Sequence, residues 1–356
     1  MSTPSLTRRD RILGALLGVH AGDSLGATLE FQGWWNIHCM FPNGLRDIIG
    51  GGHFSWPAGH ATDDTDLTRA VLLAYRDVAR AKKKGKENDV VKIAAEYMLD
   101  WLDGRDWPGR AKGSRPCDVG GATVEGLERY RQTRDPAAAG AGEGRAGNGS
   151  LMRCIPTGLF QREWGSLWDE SVAISAVTHD DLVCTFSCAV YNTVVAALVE
   201  GKSVEEAFQA GIGAVRYTER LAGKEEDPVF RLKKERAIKK VEQALVTGRT
   251  LIKVDDLARN GPDGAKNVKK ALPLAAKGFV LESLTIAIAA LFDERSLEEI
   301  LVDVVRFGGD SDTNGAIAGG LLGARDGVDA IPVRWREKLQ FREEFEKVVD
   351  EILSVE

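Results

Sequence analysis

The chain has 356 residues, of which 44% are hydrophobic and 28% are charged, and its formal net charge is −6. This composition is sufficient for a large core, and an acidic chain without a basic stripe excludes nucleic acid as the favoured partner. The five cysteines form no C-x-x-C pair, which is typical of a reducing compartment, so a cytoplasmic protein is expected. The N-terminal apolar segment is too short to span a membrane and no other uninterrupted apolar segment reaches that length, so no membrane partner is expected.

Apolar residues recur every three or four positions along most of the chain and predict helices. In chain order the predicted helices span 7–32, 64–81, 90–102, 119–130, 150–159, 168–200, 203–222, 228–246, 265–275, 281–291, 296–306, 314–326 and 332–354. Few period-2 runs bounded by turn residues occur, so little sheet is expected. Small residues in "ILGALLGVHAGDSLGA" and "GAIAGGLLGA" indicate closely packed helices. The sequence therefore predicts one all-α domain over residues 1–356, built as a compact bundle.

An acidic cluster stands directly before the second of these helices, in the segment "ATDDTD". Thr62, Asp63, Asp64 and Asp66 supply the oxygens there. Aspartate and threonine are favoured helix N-caps, and carboxylates suit the positive end of the helix dipole. One cap needs only one oxygen, however, and neighbouring carboxylates repel each other. Helix capping and cation binding both stay open from this segment alone.

A second cluster with the same pattern occurs near the other end of the chain, in "FGGDSDTNG". Asp310, Asp312 and Thr313 precede a helix of small apolar residues. Two such clusters at helix starts supply the hard oxygen ligands that Mg²⁺ and Mn²⁺ prefer. The segment also matches the opening of a calcium-binding EF-hand loop, but Leu321 stands where that loop needs a glutamate, which excludes this motif.

Seven segments, in this order and at plausible spacing, resemble the ADP-ribosylglycohydrolase family: "GALLGVHAGDSLGATLEF", "ATDDTDLTRAVLL", "CDVGGAT", "AGNGSLMRCIPTGLF", "VTHDD", "GFVLESLTIAIAALF" and "GGDSDTNGAIAGGLLGA". They extend over most of the chain. The resemblance implies an all-α orthogonal bundle with a binuclear metal centre at converging helix ends, holding two Mg²⁺ or Mn²⁺. It also implies hydrolysis of the bond that joins ADP-ribose to an acceptor. The implied substrate is an ADP-ribosylated protein or an ADP-ribose-containing small molecule, and a monomer is expected.

Carried over to this sequence, the resemblance implies that the two acidic clusters bind metal from opposite sides. The implied metal ligands are Thr62, Asp63, Asp64, Asp310, Asp312 and Thr313. Glu30 matches a family glutamate beside the metals and is the implied catalytic residue, either as a general base toward water or as a group that orients the ribose. The alternative for Glu30 is an exposed carboxylate at a helix end. Asp66 is expected to lie outside the ligand set, behind the ligands or in solvent.

The implied substrate-binding residues are Asp118, Gly147, Asn148, Gly149, Ser150 and His179. The glycine loop before a predicted helix is expected to hold the diphosphate, and the alternative is an ordinary turn capped by Ser150. Asp118 resembles a family motif that faces the distal ribose or the acceptor, and a helix N-cap before Val119 is the alternative. His179 lies within a predicted helix, where a structural role is the alternative.

The leading hypothesis is a metal-dependent hydrolase that removes ADP-ribose from a modified side chain. Arginine is the favoured acceptor, because "GNGSLMR" resembles the bacterial arginine-directed branch. Asp180 and Asp181 replace the proline or serine of many relatives and are predicted to face the arginine guanidinium. Two alternatives stay open: a hydrolase of serine-linked, poly- or O-acetyl-ADP-ribose, and a non-catalytic relative that binds ADP-ribose.

Overall fold

A computed structural model describes residues 6–251 and 278–355, which are helical, with no strand in these two ranges. The all-α prediction is therefore confirmed. The α-helices of the described residues, numbered in chain order, are α1 (Arg8–Gly26), α2 (Trp34–Met40), α3 (Asp63–Lys83), α4 (Val90–Asp103), α5 (Gly121–Thr133), α6 (Ile155–Phe160), α7 (Trp164–Ala176), α8 (Leu182–Val199), α9 (Val204–Ala222), α10 (Pro228–Thr250), α11 (Val280–Phe292), α12 (Leu297–Val305), α13 (Ser311–Asp326), α14 (Val333–Arg336) and α15 (Arg342–Leu353).

Several long predicted helices are shorter or broken in the structure. The predicted helix 168–200 is two helices, α7 and α8, because Asp181 caps α8 by accepting the backbone N–H of Val183 at 3.0 Å. The predicted helix 150–159 is a 3₁₀ turn followed by α6, with Pro156 in the first turn of α6. Proline has no backbone N–H and is tolerated only in the first turn of a helix, so Pro156 marks the start of α6 and not the middle of a longer helix.

At the two ends of the chain, tertiary packing overrides the helical period. The predicted helix 7–32 ends at Gly26, and the short helix α2 that follows was not predicted. The predicted helix 332–354 is split into α14 and α15, with Leu339 and Phe341 buried in the connection. The predicted helix 265–275 lies outside the described residues.

Helices α1 and α13 run antiparallel and touch backbone to backbone. Glycines spaced four residues apart face each other across the pair: Gly14 with Gly323, Gly18 with Gly319, and Gly22 with Gly315. A Cβ atom added to Gly22 would lie only 2.0 Å from the carbonyl oxygen of Gly315. The sequence expectation that small residues mark close helix packing is confirmed here, since no larger residue fits at this distance.

This glycine contact sets the position of the acidic clusters. At its end the hydroxyl of Ser311 donates to the carbonyl of Gly26 at 2.8 Å. The hydroxyl of Thr313 donates to Asp64 at 3.3 Å, which connects the first turn of α13 to the first turn of α3. The N-terminal ends of α3 and α13 and the C-terminal end of α1 therefore meet at one place.

Helix α8 lies in the centre of the bundle. Its 18 residues are apolar and long enough to cross a membrane by length and composition, contrary to the expectation that no segment reaches that length. In the structure 83% of this segment is buried inside the protein. Side chains from α6, α7 and α9 cover it, and this burial is typical of the core helix of a bundle.

Candidate active site

A cavity of about 580 Å³ opens where α1, α3 and α13 converge. The predicted site residues that line it are Glu30, Asp63, Asp118, Gly147, Asn148, Gly149, His179, Asp310, Asp312 and Thr313. None of the described residues in its wall is a lysine or an arginine. The structure thus brings residues from six separate segments together, and the cavity that they form is strongly acidic.

Glu30 lies in the turn that follows α1 and is only 4% exposed. Its alternative reading as an exposed helix-end carboxylate is therefore wrong. Burial, followed by the charges of Asp118, Asp310 and Asp23, raises the pKa of Glu30 to about 9. One of its oxygens, Oε2, is buried and has no hydrogen-bond partner among the described residues.

The first acidic cluster combines a cap with extra carboxylates. Helix α3 begins at Asp63, one residue earlier than predicted, and Thr62 is the N-cap because its hydroxyl accepts the backbone N–H of Asp64. Asp64 is fully buried, and its carboxylate accepts hydrogen bonds from the hydroxyl groups of Thr62 and Thr313, each at 3.3 Å. Burial and neighbouring carboxylates raise the pKa of Asp63 and of Asp64 well above its usual value. Helix capping therefore explains Thr62 but not the buried carboxylates of Asp63 and Asp64.

Asp118, Asp312 and Glu30 each place one oxygen so that the three atoms lie within 4.8 Å of one another. The N-cap alternative for Asp118 is wrong, because α5 begins at Gly121 with Gly120 in the capping position. Burial, followed by the charge of Asp310, raises the pKa of Asp118 to about 6. The sequence assigned Asp118 to the substrate side, whereas its carboxylate lies among those of the acidic cluster.

The donor set of this cluster fits divalent cations. Buried carboxylate oxygens without a hydrogen-bond partner among the described residues belong to Asp23, Glu30, Asp64, Asp118 and Asp312. A buried charge is stable only when it is paired or bound to a metal. Carboxylate and hydroxyl oxygens are the ligands that Mg²⁺ and Mn²⁺ prefer. The residues present therefore fit the expected cations.

Asp23 is a buried carboxylate of this region that the sequence reasoning missed. Its Oδ2 atom accepts the backbone N–H groups of Thr62 and Thr65 at 3.1 and 3.2 Å, and also the hydroxyl of Thr65. Asp23 thereby fixes the first turn of α3 against α1. The available signal was an aspartate within the apolar, small-residue stretch "GVHAGDSLGA", where a charge is unexpected.

The glycine loop and His179 form another part of the cavity wall. A Cβ atom on Gly149 would lie 2.9 Å from His179 Cε1, so only glycine fits beside the imidazole ring. Asn148 donates to Asp310 at 2.7 Å and to Ser283 at 3.0 Å, which holds the second acidic cluster in place. The loop is therefore tied both to the imidazole and to a candidate metal ligand.

His179 lies in the turn between α7 and α8, so its predicted helical position is wrong. Burial, with the charge of Arg153, lowers the pKa of His179 to about 3, which keeps the ring neutral. The hydroxyl of Thr178 accepts from Arg153 at 2.6 Å and lies 2.8 Å from His179 Nδ1. Because the Thr178 hydroxyl keeps its own proton after accepting from Arg153, we assign it as the donor to Nδ1, with the ring proton on Nε2.

Ser150, Asp180 and Asp181 lie elsewhere than the sequence suggested, whereas Asp66 lies outside the cavity wall as expected. Ser150 is fully buried outside the cavity wall, where its hydroxyl accepts from Ser175 at 2.9 Å and caps no helix. Asp180 and Asp181 accept the backbone N–H groups of Gly142 and Gly144 and do not line the cavity, so the structure does not place them beside an acceptor. Asp66 is buried and accepts the indole N–H groups of two tryptophans, Trp101 and Trp107, at 2.8 Å each. At each of these positions the side-chain oxygen accepts a hydrogen bond from a polar group of another segment.

Comparison with known proteins tests the family. A family model described as ADP-ribosylglycohydrolase matches residues 4–356. The chain belongs to the ADP-ribosylglycohydrolase family. Its members with known activity that match this chain are hydrolases, so the enzymatic class expected from the sequence is confirmed.

Three relatives and one solved structure of ADP-ribosylglycohydrolases illustrate the range of similarity. The ADP-ribosyl-[dinitrogen reductase] glycohydrolase of Rhodospirillum rubrum is 28% identical, over 100% of this chain and 99% of that protein. The ADP-ribosylarginine hydrolase Tri1 of Pseudomonas putida is 26% identical, over 97% and 78%. The ADP-ribosylhydrolase ARH3 of Gallus gallus is 24% identical, over 96% and 92%. A solved ADP-ribosylglycohydrolase-related protein complex covers 98% of both chains at 27% identity, with a TM-score of 0.68.

In this ADP-ribosylglycohydrolase, stabilisation by a divalent cation is expected to increase with pH. The raised pKa values of Asp118, Asp23 and Glu30, about 6, 7 and 9, mean that the metal-free folded state holds protons more tightly than the unfolded chain. Their stabilising contribution is present below the ordinary pKa values and is lost as the pH rises through the raised ones. A cation binds the ionised carboxylates, so its effect on the unfolding midpoint grows in the same window.

The measurement is the thermal unfolding midpoint with MgCl₂ and with chelator, at about pH 5.5 and about pH 8.5. The increase caused by Mg²⁺ should be larger at the higher pH, and the midpoint of the metal-free protein should be lower there. NaCl at matched ionic strength controls for screening of surface charges. An equal Mg²⁺ effect at both pH values would contradict the cation site.

Proposed function

We propose that this protein is a divalent-metal-dependent hydrolase that releases ADP-ribose from modified arginine side chains. The observation that supports this most directly is the acidic cavity at the ends of α1, α3 and α13, with Glu30 in its wall. Arginine is favoured as the acceptor because a relative that aligns with 97% of this chain, over 78% of its own length, is named an ADP-ribosylarginine hydrolase. The acceptor and the metal dependence are the parts of the proposal that need a test.

The residues proposed to hold two Mg²⁺ or Mn²⁺ are Thr62, Asp63, Asp64, Asp310, Asp312 and Thr313. When bound, the cations would supply positive charge that orients the ribose hydroxyls and a water. The same positive charge lowers the pKa of a neighbouring carboxyl, so Glu30 becomes a base at neutral pH. Its unpartnered Oε2 then accepts a proton from the attacking water or from a ribose hydroxyl.

The glycine loop and His179 are proposed to bind the remainder of ADP-ribose. Gly147 and Gly149 carry no side chain into the cavity, which leaves room for a large polar ligand. His179 is neutral and offers its Nε2 proton to a phosphate or hydroxyl oxygen. Asn148 donates a hydrogen bond of 2.7 Å to Asp310 and so fixes the position of the glycine loop relative to the acidic cluster.

The proposal is tested by measuring release of free ADP-ribose from an arginine-modified and a serine-modified peptide of the same sequence. Each reaction is run with Mg²⁺, with Mn²⁺ and with chelator. We expect release from the arginine peptide only when metal is present. Release from the serine peptide alone would overturn the acceptor, and release unaffected by chelator would overturn the metal dependence. Binding of ADP-ribose without release from either peptide would indicate a non-catalytic relative.

A further inference from the structure

An aromatic cluster lies at the open side of the cavity, and the function proposed above does not yet use it. Its members are Phe31, His53 and Phe54, called here the aromatic rim. The ring of Phe31 lines the cavity and is 58% exposed. It meets the rings of His53 and Phe54 edge to face, at centroid distances of 5.1 and 6.1 Å. The aromatic rim is thus an ordered apolar surface next to an acidic cavity.

Phe31 has a strained backbone conformation. Its φ angle is +61°, a left-handed conformation that is unfavourable for a bulky residue. The backbone N–H of Phe31 donates to Gly309 at 2.7 Å, and Gly309 donates back to Gln32 at 2.9 Å. Two hydrogen bonds therefore clamp this segment to the loop that carries Asp310. Such strain at an exposed aromatic residue beside a cavity points to a function.

The loop that carries His53 and Phe54 is also anchored. The hydroxyl of Thr28 donates to the carbonyl of Gly50 at 3.0 Å, so the loop with His53 and Phe54 is tied to the end of α1. Gly52 has a φ angle of +72°, and a Cβ there would lie 2.1 Å from the carbonyl of Ala27. The loop consequently packs against the segment that carries Glu30, and its rings support the ring of Phe31.

The chemistry of the acceptor fits this location. In ADP-ribosyl-arginine the bond that breaks joins the anomeric carbon directly to a guanidinium nitrogen, so the planar cation lies one bond from the reacting centre. Phe31 directly follows Glu30 in the chain, and it lines the cavity while remaining 58% exposed, as a group that contacts an acceptor attached to a protein must be. Guanidinium groups stack on aromatic faces, and nearby carboxylates strengthen the attraction for a cation.

We propose that the face of Phe31, supported by His53 and Phe54, stacks on the guanidinium of the modified arginine and selects arginine-linked ADP-ribose over serine-linked ADP-ribose. This inference rests on the function proposed above. A serine acceptor has no planar cation and gains nothing from the ring. Adenine is also planar, but a diphosphate and a second ribose separate it from the reacting carbon, so it belongs at the other end of the substrate.

The test compares Phe31→Leu with the wild type, because leucine keeps apolar bulk at the same backbone angle but has no aromatic face. For the arginine-modified peptide, kcat/KM should fall about 5- to 20-fold, consistent with loss of a cation–π contact. Inhibition by the product ADP-ribose should stay unchanged. Phe31→Trp should retain most of the activity. Trp35→Leu removes another exposed aromatic ring, 69% exposed and outside the cavity wall, and should leave kcat/KM unaltered.

Two results separate this inference from the function on which it rests. If the wild type releases no ADP-ribose from the arginine peptide, the proposed function fails. If the wild type is active and Phe31→Leu matches it, only the role of the aromatic rim is overturned. Weaker inhibition of Phe31→Leu by ADP-ribose would overturn it as well, because the ring would then contact the adenosine part. Unfolding midpoints measured in parallel identify a variant that has merely lost its fold.

Discussion

Asp312→Asn is expected to lower kcat for ADP-ribose release by about 1,000-fold or more while stabilising the metal-free protein. Asp312 is 2% exposed, and its Oδ1 has no hydrogen-bond partner among the described residues. Burial, followed by the charges of Asp64 and Glu30, raises the pKa of Asp312 well above its usual value. Asparagine has nearly the same shape without the charge, so it removes both the repulsion and the cation ligand.

The measurement combines activity with unfolding midpoints at about pH 8, with and without Mg²⁺. The variant should unfold at a higher temperature than the wild type in chelator and should lose most of the increase caused by Mg²⁺. The matched control is Asp66→Asn, a buried aspartate whose pKa burial raises to about 7 but which lies outside the cavity wall. That control should keep the Mg²⁺ effect. A full Mg²⁺ effect in Asp312→Asn would contradict the assignment of Asp312 as a ligand.

Gly22→Ala is expected to lower the free energy of unfolding by about 3 kcal/mol or more. The new Cβ would lie 2.0 Å from the oxygen and 2.3 Å from the carbon of the Gly315 carbonyl. Neither atom belongs to a flexible side chain, so α1 and α13 must separate. Since these helices position Glu30 and Asp312, activity should fall together with stability. Urea unfolding at fixed pH gives the free energy, and a slope that does not change confirms that the native state stays compact.

Gly213→Ala is the matched control for this substitution. Gly213 is also within a helix, α9, but an added Cβ meets no atom within 4 Å. Helix propensity alone then applies, and alanine should stabilise the protein by about 0.5–1 kcal/mol. The pair separates steric contact from propensity. A loss below about 1 kcal/mol in Gly22→Ala would show that the two helices tolerate a methyl group between them.

The sequence was sufficient to predict the convergence of the two acidic clusters. Each cluster stands at a helix start, and excess carboxylates beyond one cap indicated a shared cation. The connection between Thr313 and Asp64 at 3.3 Å agrees with that reasoning. Small residues in α1 and α13 likewise predicted close helix contact, because glycine weakens a helix and is kept where helices pack closely. Patterns that repeat within one helix were therefore informative.

Features that depend on contacts between distant segments were not predictable in this way. Asp66 stands only two residues after Asp64, yet it accepts two indole N–H groups from residues 101 and 107. The negative charges of Asp180 and Asp181 suggested a site for a cationic acceptor, but both carboxylates accept backbone N–H groups from residues 142 and 144. Asp23 was overlooked because its partners, Thr62 and Thr65, become its neighbours only when α1 packs on α3. In each case the partner belongs to another segment.

The glycine contact between α1 and α13 also has a consequence for biosynthesis. Gly22 and Gly315 lie near opposite ends of the chain, so α1 leaves the ribosome long before its partner helix exists. Until then its glycine face is uncovered, and helices rich in glycine are weakly stable alone. Pairing of such distant segments slows folding. The acidic site is complete only when α13 has packed on α1, so a nascent chain without α13 should neither bind a divalent cation nor resist proteolysis at its N-terminal end.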